Sequence, residues 1–253
     1  MWSFRAWRRR RVLARHPIPG SAWAGALAAL PVLRRLPRAG QERLRDTATL
    51  LLHGKPVHGA DGLEPDRHQR VVVTALAALP VLGLDLDWYD NWHEIVLYPE
   101  VFLQDHEWID EAGVMHREHR ALEGESWQQG PIVLSWPDVA ASGQGNGYNL
   151  VIHEIAHKLD MLNGDANGHP PLHRGMNNTV WHDAFSVAYA DLVERVEAQQ
   201  PTTLDPYAAT APEEFFAVAS EVFFEIPRVL RAAYPAVYGQ LALFYRQEPR
   251  EWG

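Results

Sequence analysis

The run His153-Glu154-Ile155-Ala156-His157 constrains this chain more than any other five residues. It lies in a stretch from about Asn149 to Leu162 that has the apolar period of a helix and ends at Asn163-Gly164, a C-terminal stop. Residues four apart on a helix sit ~40° apart on one face. The two imidazoles can therefore share one ion. Glu154 stands to their side, where a carboxylate can take a proton from metal-bound water. From this composition ~0.05 such motifs arise by chance, so the spacing is suggestive and its context must carry the argument. Leu150, Ile152 and Ala156 predict that the helix is buried.

Composition limits what can hold such an ion. Cysteine is absent, which excludes disulfides, thiolate clusters and cysteine nucleophiles. Any metal must be bound by His, Asp or Glu, and zinc suits that donor set. The 253 residues are 47% hydrophobic and 22% charged, enough for one large domain, alone or with a helical extension. No apolar run approaches the ~20 residues that span a bilayer. The net charge of −9 is unevenly placed: residues 1–50 hold 11 Arg and two acids, while the rest hold 12 basic and 30 acidic residues. An acidic body argues against direct nucleic-acid binding. The basic segment can still meet an acidic partner or surface.

The order of elements is helices, then a few strands, then helices, which predicts an α+β fold. Residues 1–20 read as a basic, solvated arm and 21–84 as a helical region packed on a catalytic part, 85–253. Strands are expected at Trp92–Tyr98 and Ile132–Trp136, and helices at about 180–199, 211–225 and 228–246. The apolar stretch Ala22–Leu33 follows Arg8–Arg11 in the manner of a signal peptide. It runs directly into Arg34, Arg35 and Arg38 with no cleavage site, so a packed helix and a cytoplasmic protein are expected. The competing reading is an exported protein.

A pair of imidazoles needs a third ligand. Asp160 and Asn163 stand where an extended motif would place Gly and His, and no Glu occurs between Glu154 and Glu194. The ligand must come from Glu194 onward, or be an Asp or His from the loop. The strongest candidate helix is Glu213–Glu225. Thr210 and Glu213 read as a capping box, which leaves Glu214 free. Glu221 shares its face but lies ~10 Å further along, too far for the same ion. An acid on so apolar a helix needs a partner. Asp160 shares the face of both histidines and is a candidate to orient one of them. His93-Glu94 begins a similar motif, but Leu97 occupies the second ligand position. His116 and His119 read as surface residues in a polar, loop-like stretch.

Residues Asn149–Asp160, Asp205-Pro206-Tyr207, Glu214–Val218 and Ser220-Glu221 together resemble the Mlc titration factor A family of gluzincin metallopeptidases, related to the catalytic domain of anthrax lethal factor. Gly124-Glu125-Ser126-Trp127, Gly130–Trp136, Pro170-Pro171-Leu172 and Tyr238–Tyr245 are similar too. The resemblance covers most of the chain. It implies a zincin-like fold with a small mixed sheet, an active-site helix and an N-terminal helical region. It implies one zinc per chain on His153, His157 and Glu214, with Glu154 as general base and Tyr207 supporting the oxyanion. By analogy, Ile132–Trp136 is the edge strand that aligns a peptide or protein substrate, and the activity is aminopeptidase-like or of limited specificity. Members also bind the transcriptional repressor Mlc. A repressor-sequestering protein with a weak zinc site is therefore the alternative to a peptidase.

Overall fold

The computed structural model describes residues 4–100, 105–109, 115–119 and 130–252. The Gly124–Trp127 segment lies outside the described residues. Three short strands form one parallel sheet in the order β1 (Val57–Gly59), β2 (Ile95–Tyr98), β5 (Ile132–Ser135), and the short helix α6 (Trp136–Ala141) follows β5 directly. Val57 faces Ile95, which faces Ile132 in turn. The strands β3 (Asp105–Ile109) and β4 (Met115–His119) pair antiparallel as a separate sheet. The expected mixed sheet is thus corrected: among the described residues the two strand directions are segregated. Parallel neighbours need long crossovers, and helix α5 (Arg67–Ala78) lies within the connection from β1 to β2. His116 and His119, expected in a loop, lie on β4.

Helix α5 opens with a capping box in which Asp66 accepts from the Gln69 amide and Gln69 reaches back to the Asp66 amide. Every residue from Val71 to Ala78 is buried. The helices α2 (Gly20–Ala29) and α4 (Arg38–Gly54) pack on it, with α3 (Pro31–Arg34) between them in the chain and Trp23, Ala26, Val32, Leu33, Leu44 and Ala48 in the same core. That core runs on without a break into the C-terminal helices. Among the described residues no helix is long and apolar enough to cross a membrane.

Residues Phe4–Arg15 form helix α1, which buries Val12. Arg9 pairs with Asp85 at 2.7 Å and Asp87 at 3.1 Å, and Arg5 pairs with Asp87 and Asp90. Arg is a good helix former, and acids some 80 residues away neutralise one side of the helix. Each such exposed pair contributes only ~0.2–1 kcal/mol.

Helix α9 (Pro212–Glu225) is the central element. Every residue from Phe215 to Glu225 is buried, Ser220, Glu221 and Glu225 among them, so the helix lies within the core on all sides. Each of its four phenylalanines contributes ~1.5–3 kcal/mol by leaving water. Around α9 pack α7 (Leu150–Asp160), α8 (Asn178–Glu197), α10 (Pro227–Ala233) and α11 (Pro235–Tyr245). The expected single helix over 228–246 is two, because Pro235 disfavours helical backbone at Tyr234. The expected Thr210 cap is corrected as well. Ala211 is the N-cap residue, Pro212 takes the first helical position, and Thr210 Oγ1 donates instead to the Tyr207 carbonyl.

Candidate metal centre

Helix α7 starts at Asn149, whose Oδ1 accepts from the Ile152 amide. The loop before it needs its glycines. Gly143 has φ +78°, and a Cβ there would sit 2.7 Å from a Leu30 methyl. The helix then carries His153 and His157 on the side that meets α9, with Glu154 about 100° round from His153. Glu214, in the first turn of α9, meets them. His153 Nε2 lies 3.1 Å from His157 Nε2 and 3.1 Å from Glu214 Oε2, and His157 Nε2 lies 3.5 Å from the same oxygen. Among the described residues these three form a cluster able to hold a metal ion. All three side chains are mostly buried, at 13%, 11% and 17% exposure.

The remaining atoms of the cluster fix its orientation. His153 Nδ1 donates to Glu221 Oε1 at 2.8 Å, so the lone pair of a neutral ring points from Nε2 into the cluster. Glu221 Oε2 also accepts from the Asn149 backbone amide. One turn on, Glu225 accepts from Asn149 Nδ2 at 2.8 Å and from the Gly145 amide at 2.6 Å. Arg35 donates to the carbonyls of Phe224 and Glu225, both at 2.6 Å, and so closes the C-terminal end of α9. Two buried acids on α9 thus hold the start of α7 in place. Burial raises the proton affinity of both carboxyls, against these hydrogen bonds.

The charges of the cluster are tightly linked. Burial favours the charged form of neither Glu214 nor His153. The two imidazoles nevertheless hold the Glu214 carboxyl well below the usual range, and Glu214 and Glu221 hold the His153 proton well above it. Two imidazole nitrogens 3.1 Å apart present lone pairs to each other unless a proton or cation lies between them. His157 Nδ1 and Glu214 Oε2 are buried with no hydrogen-bond partner. A tetrahedral ion with bonds of ~2.0–2.1 Å separates its ligands by about 3.3 Å, close to the spacing seen here. The residues present fit a zinc-like cation.

Other candidates fall into place differently. Tyr207, on the 3-10 turn Pro206–Ala209, brings its ring centroid to 6.2 Å from that of His153. Glu154 is half-buried beside the cluster, and His93 is exposed and apart from it. Asp160 does not hydrogen-bond His157. Its Oδ2 accepts from the Asn167 and Gly168 amides, pinning the loop after α7, while Oδ1 has no partner. The orienting carboxylate is Glu221, which sequence reasoning had only set aside as a ligand. Its signal was present: an acid on an apolar helix, two turns from Glu214 on the same face. Asn149, Glu225 and Lys158 were missed as supports. Lys158 is buried and donates to the Gly130 carbonyl at 3.1 Å, tying α7 to the entry of β5. The phenol of Tyr148, just before α7, is pushed up by burial and by Asp138, Glu221 and Glu154.

Glu221→Gln is expected to lower metal affinity ~10–100-fold, with the stripped protein still folded by circular dichroism but melting somewhat earlier, since Glu221 also accepts from the Asn149 amide. Zinc titration against a competing chelator measures it, and unaltered affinity would remove Glu221 from this role.

A His-x-x-x-His pair on one helix, closed by a Glu from a second, is a donor set of the kind that metallopeptidases use for their ion. The chain matches the profile of the "Glucose-regulated metallo-peptidase M90" family over residues 4–246. It belongs to that family. It is 38% identical over 229 residues to a Mlc titration factor A of Klebsiella pneumoniae, covering 90% of this chain and 86% of that one. A protein of the same name from Cronobacter sakazakii is 36% identical over 245 residues, 96% of this chain and 91% of its own. One from Salmonella arizonae is 37% identical over 231 residues, with coverages of 90% and 92%.

Proposed function

We propose that this chain is a zinc-dependent peptidase in which His153, His157 and Glu214 would hold one ion. The observation that carries this reading is the meeting of three lone-pair donors, 3.1–3.5 Å apart, from two helices far apart in sequence. When bound, the ion supplies Lewis acidity to the scissile carbonyl and acidifies water. Glu154 takes the proton of the attacking water and passes it to the leaving amine. The Tyr207 hydroxyl donates a hydrogen bond that strengthens as charge grows on the carbonyl oxygen. The β5 backbone, at one end of the three-stranded sheet, aligns the substrate by strand addition. Aminopeptidase-like or otherwise restricted cleavage is the specificity proposed.

A regulatory role through a Mlc-type repressor is proposed beside it, supported by the name that the relatives share. If repressor sequestration is the main activity, the zinc site is weak or accessory. Elemental analysis paired with a peptide-hydrolysis assay tests the first reading: one zinc per chain and zinc-dependent cleavage are expected, and a metal-loaded protein inert on a broad peptide library ends it. The second reading expects capture of the repressor by wild type and equally by His153→Ala/His157→Ala. Failure of the wild type to bind ends that one.

A further inference from the structure

Helix α1 has two faces, and only one is engaged. Val12 is buried, and Arg5 and Arg9 pair with Asp85, Asp87 and Asp90. On the side adjoining these, Phe4, Trp7, Arg8, Arg11 and Arg15 fall within a sector of ~100° on a helical projection. All five are exposed, Phe4 to 76% and Trp7 to 49%. The two rings stack at 5.8 Å, and the Arg11 guanidinium lies 5.3 Å from the Trp7 centroid. Arg8, Arg11 and Arg15 make no ion pair among the described residues. No acid occurs on α1. These five residues and Val12 themselves line a groove of about 340 Å³, closed by His16 and His53, whose rings stack at 5.3 Å.

We infer that this face of α1 docks on a bilayer surface rich in anionic phospholipid headgroups. The three guanidiniums select a negatively charged occupant. The exposed aromatic pair selects an apolar layer immediately beneath that charge, and a bilayer interface offers both in one plane. A nucleic acid would extend past a three-turn helix and meet the acidic body, which carries 30 acids against 12 bases. The ion pairs on the inner face hold the helix with this side outward, so docking needs no unfolding.

Cosedimentation of the full chain with vesicles tests the inference. Binding is expected to phosphatidylcholine vesicles containing phosphatidylglycerol, not to phosphatidylcholine alone, and is expected to fall with salt. Arg8→Gln/Arg11→Gln/Arg15→Gln should weaken it about 100-fold, at roughly tenfold or less per charge. Phe4→Ser/Trp7→Ser should weaken it about tenfold or more at unchanged charge. Circular dichroism melts matching the wild type exclude misfolding of either variant, and single substitutions replace any variant that melts early. No binding to the anionic vesicles at low salt, undiminished binding by the triple variant, or binding only to polyglutamate or duplex DNA would each overturn it.

Discussion

Glu154→Gln is expected to keep the fold and the bound metal while peptide hydrolysis falls ~10³-fold or more. Glutamine has the size of glutamate and retains a hydrogen-bonding end, but it cannot accept a proton. The three atoms that would hold the ion come from His153, His157 and Glu214, so the substitution leaves them untouched. Proton transfer by a positioned carboxylate contributes ~10²–10⁴ in rate, and the lost hydrogen bond to the attacking water adds to it. A thousandfold loss corresponds to about 4 kcal/mol of barrier. The fall should appear in kcat, with zinc content and melting curve matching the wild type. Glu213→Gln serves as the control: its neighbour Glu214 belongs to the cluster, whereas Glu213 does not. Full activity of Glu154→Gln on a peptide would end the proposed mechanism.

Local features of the site were legible, and its long-range partners were not. The two histidines could be read because helical spacing brings positions 153 and 157 together whatever the rest of the chain does. Glu214 was reachable by exclusion of nearer acids, and α9 does bring it to the pair. The Glu221 contact spans 68 residues and the Glu225 contact to Asn149 spans 76, so no spacing rule describes them. Strand β1 was invisible for a similar reason. Three residues between Pro56 and the Asp61-Gly62 turn carry no period, and their pairing with β2 is decided by packing. The arginines of α1 looked solvated because Asp85, Asp87 and Asp90 lie far along the chain. The Thr210 cap failed on a local point: Pro212 fits the first helical turn so well that Ala211 serves as N-cap residue without a side-chain bond.

Removing the cation is expected to lower the melting temperature by about 10 °C at pH 8 in excess zinc, given ~4 kcal/mol at a thousandfold excess over Kd and ~2–4 °C per kcal/mol for a chain of this size. The gap should shrink toward pH 5. In the stripped protein Glu221 accepts from His153 Nδ1 and the Glu214 carboxylate lies 3.1 Å from Nε2, so against burial the affinity of this ring for its second proton is raised well above the usual imidazole range. That contribution is fully present below the ordinary histidine pKa and is lost as pH rises through the raised value. The depressed Glu214 works in the other direction, contributing above the ordinary carboxylate pKa and fading as acid is added. The stripped site is therefore best satisfied in mild acid. A metal needs the same ring nitrogen free of its proton, so its affinity grows where the proton leaves. Glu214→Ala removes one of the three donors and one of the two carboxylates at once. It should show little zinc-dependent shift at any pH, and a stripped form whose preference for mild acid is weaker because Glu221 alone then acts on His153. Calorimetry of both proteins, with and without chelator, separates the cases. A zinc shift in Glu214→Ala as large as in the wild type, or a wild-type gap that narrows as pH rises, would show that the cation is held elsewhere.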